Sequence, residues 1–557
     1  MPSRNPRTSG RAAPLRVACI GGGPGGLFTA IALAHALPGI EVDVYERGRA
    51  EDVFGFGVVF SDATLDAVNQ VDPVLQDVLD REGRHWDTIR VHNQHAVAAA
   101  RGNGMAAVHR RALLEALRGR AAALGARLHY GREADVDALD ASGRYDLIVA
   151  ADGANSATRE RFVEQLGHTV DTAAVKFIWF GTTYAFAGLT FLHERWRGGN
   201  FAVHGYPIGA GIGTFIVETE EATWREAGLD AFDPALPPGP SDELSKRFLE
   251  ALFAERIDGR PLVANNSRWA NFRTRLTQRW HTRAARGTPV VFVGDSVHTA
   301  HFSVGSGTKM AMEDAAALAA AVGRHGDDLD AAIAAFEAVR QPEVAKIQDS
   351  ALPSLSWWDH FGAYERGLPP WQFGLHFFSR SISLEKMRQR DPGFVAQCEQ
   401  AWVQAHRQPV LATPLAVGDR VWRERLLGAA PAPDGAWLIG DGATPLRAVP
   451  AADWAAGAAT LPLFGAPAIG TTRLNASTLR ALDALAARAP AAVAIGGGNH
   501  LARVLCAEHL RLTRGLPAVI VDDAEALAAR RAVSPADSAR TVVLSGRADA
   551  VAFPAGD

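Results

Sequence analysis

Apolar and polar positions along this chain repeat with two different periods, and the switches between them outline its elements. Residues 15–20 form an apolar run of strand length, glycines follow, residues 27–37 have helical composition, and residues 41–45 alternate as a second strand does. This is the pattern of a βαβ unit. Residues 112–124 read as a helix and 146–151 as a short buried strand. Four β-type runs then follow at 177–183, 190–192, 201–206 and 214–218, without helical stretches between them, which predicts a separate sheet. A Pro-rich loop at 233–242 and a helix from about Glu243 lead to a very apolar strand at 289–294 and a long Ala-rich helix, so the first domain is expected to resume after an insertion. Beyond about Thr413 the composition shifts to Ala, Pro and Gly, with strand-like runs at 492–495, 518–521 and 541–544.

Length and charge narrow the classes. A chain of 557 residues exceeds one ordinary domain. A net charge of -4 provides no field that would draw the molecule to nucleic acid. Cys19, Cys398 and Cys506 stand far apart without metal or CxxC spacing, so no disulfide framework is expected and a reducing cytoplasm fits. No uncharged apolar stretch is long enough to cross a bilayer. The first fourteen residues are polar and basic with no apolar signal core, and read as a disordered tail.

Gly21, Gly23 and Gly26 spell GxGxxG between strand and helix, a spacing that lets a pyrophosphate approach the backbone at a helix N-terminus. Glu46, with Arg47 beside it, closes the second strand, where an acidic side chain accepts hydrogen bonds from an adenosine ribose. Two further strings follow apolar strands: ADGANSATR, containing Asp152, Gly153, Ser156 and Arg159, and GDSVHTAHFSVGSGTKMAMEDA, containing Asp295, Gly305 and Gly307. In this order the three motifs resemble the GxGxxG, DG and GD motifs of single-component (group A) flavoprotein aromatic hydroxylases over residues 15–345. That resemblance implies bound FAD, with Asp295 on its ribityl chain. Arg110, in HRRALLEAL, resembles the arginine that contacts the FAD phosphates in that family; its alternative is a solvated cation at a helix end.

The segments FGFGVVFSDATL, IWFGTT, GTFIVETEEATW and QFGLHFFSRSISLEKMRQRDPGF extend the resemblance to about residue 400 and resemble the aryl-CoA branch of those hydroxylases. His301 and Phe302 stand where many relatives carry two prolines, and Lys309 where asparagine is usual. Residues 413–557 resemble the last βα units of an old-yellow-enzyme barrel. About 145 residues cannot close an eight-stranded barrel that typically needs about 250, so only a remnant and no second flavin are expected.

The expected fold is α/β: a Rossmann-like FAD-binding domain (15–175 and 286–345) with an inserted, mainly antiparallel substrate sheet (176–285), a helical layer (346–412) and a small α/β appendage (413–557). The resemblance implies that NADH or NADPH reduces FAD, that O2 adds to it as a C4a-hydroperoxide, and that an aromatic small molecule is hydroxylated, a salicylyl-CoA-like thioester ahead of 2-aminobenzoyl-CoA. A natural-product tailoring oxygenase on an aryl thioester is the alternative, and a flavin-binding scaffold with a partner-recruiting C-terminus is the alternative from another class. His301 and Phe302 are expected at the flavin's reactive face. His204 and Tyr206 share one face of a strand and are candidates for the substrate cavity, a satisfied core histidine being the other reading. Arg268, Arg273 and Arg275 around Trp269 are candidates for the phosphates and adenine of coenzyme A, or else form a solvated basic face. His298 and His301 lack a third ligand at motif spacing, so no metal is expected. Trp357, Trp358 and Trp371 are read as packing residues. Monomer and homodimer both remain open.

Overall fold

The computed structural model describes the whole chain except residues 1–13, 54, 62–64, 95, 234–238, 433, 435, 444 and 555–557. The expected tail therefore lies almost wholly outside the described residues, as does the centre of the Pro-rich loop. The first sheet has six strands in the order His281–Arg283, Pro289–Phe292, Leu147–Ala150, Arg16–Ile20, Glu41–Glu46 and Arg127–Tyr130. All neighbours but the first pair run parallel, and the central strands are buried on both faces, which explains their unbroken apolar composition. The helices Pro24–Ala36 and Gly307–His325 pack together on this sheet, and so bring the glycine-rich turn and the GD segment to the same end of the domain.

The second sheet has eight strands and is mainly antiparallel. Its middle is formed by His168–Thr182, Ile212–Thr219, Gly199–Gly209 and Thr190–Trp196, so the expected runs are present but longer than their apolar cores. Ile89–Asn93 and Ala96–Ala100 extend this sheet from a part of the chain expected in the FAD domain. A single helix, Leu329–Gly367, runs through the boundary expected at 345–346 despite Pro342 and Pro353 within it.

The C-terminal region departs from expectation in two ways. Its seven strands, Leu426–Pro431, Trp437–Gly440, Leu446–Pro450, Leu461–Gly465, Val493–Gly496, Ala518–Val521 and Ala550–Pro554, form a closed barrel. Its core mixes small side chains, Ala429, Ala448, Ala494, Ala550 and Ala552, with larger ones, Leu427, Ile439, Leu446, Leu461 and Val519, and the buried indole of Trp422 packs against them. Residues 541–544, read as a strand, lie in the helix Pro535–Ser545, started by the Ser534 cap. That helix is buried nearly all round, and a short apolar run gives the same signal in a buried helix as in a strand.

Candidate active site

The glycine loop fits a dinucleotide phosphate. Gly21 has φ +110°, and a Cβ there would stand 2.3 Å from the Ala151 carbonyl oxygen; at Gly26 it would stand 2.0 Å from that of Gly21. At Gly23 a Cβ would meet nothing within 4 Å, which leaves an open approach at the helix N-terminus. Glu46 accepts hydrogen bonds from the Gly22 and Gly48 amides, both 2.8 Å, which fixes its carboxylate at the strand end. Arg47 next to it is exposed.

The DG and GD turns are tied to each other. Asp152 accepts from Ser156 Oγ and from both the amide and hydroxyl of Thr158, so its carboxylate shapes its own turn, while Gly153 takes φ +77°. Buried Arg159 donates to the carbonyls of Ala154 in one turn and Ser296 in the other. Asp295 makes no hydrogen bond to the described residues. It is crowded by protein yet open to a cavity, and burial raises its pKa against the pull of His298, Arg110 and Arg275. A carboxylate left free at the floor of a groove is the acceptor a polyhydroxyl chain needs.

That cavity, about 870 Å³, is lined by Arg110, Tyr206, Asp295, Phe302, Gly305 and Gly307 together with Val58, Val59 and Trp179. Toward the second sheet it is lined by Lys176, Trp224, Phe232, Arg268, Trp269, Arg273 and Arg275. Of the expected residues, Arg110, Asp295, Gly305, Gly307, Tyr206, Phe302, Arg268, Trp269, Arg273 and Arg275 therefore line one space, whereas Gly21, Gly23, Gly26, Glu46, Arg47, Asp152, Gly153, His204 and His301 are not part of its wall. Arg273 is exposed, and Arg268 sits 5.7 Å from the Phe232 ring centroid. Arg275 is buried, and burial with neighbouring Arg159 and Arg273 lowers its pKa. Trp269 is mostly buried, its indole N–H donating to Ser245 Oγ at 2.7 Å.

His204 and His301 lie behind the cavity wall. Phe302 faces the cavity, its ring centroid 5.1 Å from Phe177 and 5.3 Å from His204. Behind it, His204 Nε2 is 2.6 Å from Glu218 Oε1, and His301 Nε2 is 3.9 Å from Glu218 Oε2. None of these four atoms has an aligned hydrogen bond, the short contact included. Burial pushes the His301 imidazole down to about 3, holds His204 well below its usual range and lifts the Glu218 carboxyl well above its own. Burial thus favours the neutral form of each group, two imidazoles and a carboxylic acid. Tyr206, two residues from His204 on the same strand face, reaches the cavity, and burial raises its phenol to about 12. His298 instead meets Asp314 at 2.7 Å, so the two histidines of the GD segment do not converge on a common point.

Glu218 is the residue that sequence reasoning missed. Its signal was present, since Thr214, Ile216 and Glu218 alternate on one strand face and Ile216 pairs with His204, which places an acid on the inward face. Ser303, Ser354 and Arg380 were also missed. His301 Nδ1 is 2.8 Å from Ser303 Oγ, which is 3.0 Å from Ser354 Oγ, to which Arg380 Nε donates at 2.8 Å. No local pattern joins residues so far apart in sequence. Trp358 packs as expected among Phe191, His193, Phe361 and Phe377, and its nearest ring is that of His204, 4.2 Å between centroids.

Residues 15–351 match the family model described as "FAD binding domain". The chain is 46% identical to salicyloyl-CoA 5-hydroxylase of a Streptomyces species, across 96% of this chain and 99% of that one. It is 34% identical to 3-hydroxy-4-methyl-anthranilyl-[aryl-carrier protein] 5-monooxygenase of Streptosporangium sibiricum, and 28% identical to protodeoxyviolaceinate monooxygenase of Chromobacterium violaceum, each across 62% of this chain and 89% of the relative. Among the described residues no helix is long and apolar enough to cross a membrane. With a glycine loop, ribose acid and free groove carboxylate that fit the dinucleotide, the chain belongs to the FAD binding domain family and is an FAD-dependent monooxygenase.

Proposed function

We propose that this monooxygenase hydroxylates the ring of an aromatic acyl thioester of coenzyme A, with salicyloyl-CoA the first substrate to test. The observation that carries this reading is the full-length match to a salicyloyl-CoA 5-hydroxylase, where relatives named for other aryl substrates align with less than two thirds of the chain. The cavity is consistent with it. Lys176, Arg268 and Arg273 supply cations for phosphates, and Trp224, Phe232 and Trp269 supply flat apolar surface for an adenine. Phe302 and Tyr206, which line the same cavity, are the aromatic residues this reading assigns to the ring.

Bound FAD supplies electron transfer from NADH or NADPH and the activation of O2. In balance, one ring C–H, one O2, one reduced nicotinamide and one proton give a ring C–OH, water and the oxidised nicotinamide. The protein's own part is positioning and exclusion of water. Phe302 and Phe272 shield the cavity from the His204–Glu218–His301 cluster, whose burial favours neutral groups over fixed charge. A cytoplasmic location accords with three buried, unpaired cysteines.

Nicotinamide oxidation by the purified yellow protein, with salicyloyl-CoA, 2-aminobenzoyl-CoA, benzoyl-CoA and the free acids in turn, tests the reading. Strong stimulation by one thioester with a product heavier by one oxygen supports it. Stimulation by a free acid alone rejects the thioester. A second reading, an aryl group carried on a protein thioester, is favoured by the 34% relative. It predicts that Arg273→Ala leaves KM unchanged, whereas a coenzyme A substrate predicts a rise of several-fold.

A further inference from the structure

Phe302 lines the large cavity, but the next residue, Ser303, lines a second cavity of about 260 Å³ between the substrate sheet and the helical layer. Its apolar wall includes Leu189, Phe191, Phe378 and Phe394. Four arginines also line it: Arg380, which is half-buried, and Arg101, Arg390 and Arg531, which are exposed. Asp391 is the acid on the wall, and its carboxylate already accepts the amides of Arg101 and Phe394. None of the four arginines forms an ion pair with a carboxylate among the described residues.

Arg380 is the innermost. It donates to Ser354 Oγ and to the Phe377 carbonyl, both at 2.8 Å, and lies 4.0 Å from the Phe377 ring centroid. Burial, and then the charge of Arg547, lowers its pKa to about 9. A cation held among aromatic rings without a counter-ion carries a desolvation cost that a bound anion would relieve. The volume lies just below the usual range of ligand pockets, roughly 300–1,000 Å³, which suits a single ring and excludes a nucleotide.

We propose that this second cavity is a binding site for an aromatic monocarboxylate of the benzoate class, its ring against Phe191 and Phe378 and its carboxylate on Arg380. The proposal stands on the cavity alone and is independent of which substrate is hydroxylated. It also gives the site a route to the active centre. Arg380 holds Ser354, Ser354 meets Ser303, and Ser303 meets His301, so a carboxylate competing for the Arg380 donors acts on the segment that carries Phe302. A free aromatic acid would in this way adjust turnover of the thioester.

The test is calorimetric titration of the FAD-loaded enzyme with sodium benzoate and with inorganic phosphate, with flavin absorbance followed in parallel. The expected result is one saturable benzoate site, an unchanged flavin spectrum and at least tenfold weaker phosphate binding. Arg380→Met should weaken benzoate at least tenfold, and so should Ile382→Trp, which fills the cavity without removing the cation. Both comparisons require variants with wild-type melting temperature and FAD content. The proposal is overturned by absence of a saturable site, by phosphate binding as tightly as benzoate, or by a flavin perturbation that persists in Ile382→Trp, which would place the acid in the large cavity instead.

Discussion

At Gly26 and at the buried triad the constraint comes from different physics. Gly26 is fixed by space: a methyl group there would overlap the Gly21 carbonyl. Gly26→Ala must therefore displace the turn, and the purified variant is expected to lose most of its FAD, read as the ratio of flavin to protein absorbance. Glu218 is fixed by charge state. Burial favours its protonated form, with Asp359 adding to the effect, so Glu218→Gln replaces a carboxylic acid by its neutral isostere. The variant should melt within about 1 kcal/mol of wild type, whereas an ionised, paired glutamate would lose about 3–5 kcal/mol. His301 titrates near 3 in the folded protein against about 6.5 when unfolded. Between those values the unfolded chain binds a proton that the folded chain does not. Stability is therefore fully present above about pH 6.5 and falls as pH drops, by about 1.4 kcal/mol per pH unit for one such histidine. Melting curves from pH 7 to 5 should show this decline, and His301→Asn should make it shallower.

Elements that carry their own local signal were legible in the sequence, and those defined by distant partners were not. The strand, glycine turn and helix at residues 16–36 are specified by residues close together in the chain, and the GD segment by glycines at Gly305 and Gly307. The strands Ile89–Asn93 and Ala96–Ala100 gave no comparable signal, because Ile89–Asn93 joins the second sheet by pairing with Thr190–Trp196, about a hundred residues away, and Ala96–Ala100 joins it only through Ile89–Asn93. Likewise the active cavity was legible as a residue set, through Asp295, Tyr206 and Phe302, but the layering of His301 behind Phe302 was not. The barrel shows the same limit. Its strands at 493–496 and 518–521 were readable, while the hairpin of Leu415–Val417 and Arg420–Trp422, outside the barrel, places the fully buried Trp422 in the barrel's hydrophobic cluster. Truncating that side chain leaves a cavity that alanines cannot fill. Trp422→Ala should cost about 3–5 kcal/mol, seen as an earlier unfolding transition of the barrel while flavin absorbance is kept.

Across the whole molecule, the barrel is joined to the hydroxylase through buried polar groups. Tyr364 donates to Glu508 at 2.5 Å, and His376 Nε2 lies 3.0 Å from the same carboxylate. Arg547 donates to Ser379 Oγ at 2.6 Å and to the His376 carbonyl at 2.7 Å. Ser379 precedes Arg380, so the barrel holds the helix end from which Arg380 reaches Ser354, and through it Ser303 and His301. Arg547 Nε also lies 3.6 Å from Glu508 Oε1, so Arg547→Met leaves that buried carboxylate without its cation, at a cost of about 3–5 kcal/mol, and frees the Ser379–Arg380 end. FAD content should be unchanged, because no FAD residue is touched, while more of the nicotinamide's electrons should go to hydrogen peroxide than to product. A general loosening would do this too, so the comparison is Arg425→Met. Arg425 is equally buried in the barrel, but its guanidinium donates to the carbonyls of Thr413, Pro414 and Asp549 and reaches nothing in the helical layer. If Arg547→Met uncouples the reaction and Arg425→Met only lowers the melting temperature, the barrel acts through this connection; Arg547→Met combined with Ser354→Ala should then be less than additive in its uncoupling. Equal uncoupling in both single variants would mean that the barrel contributes bulk stability alone.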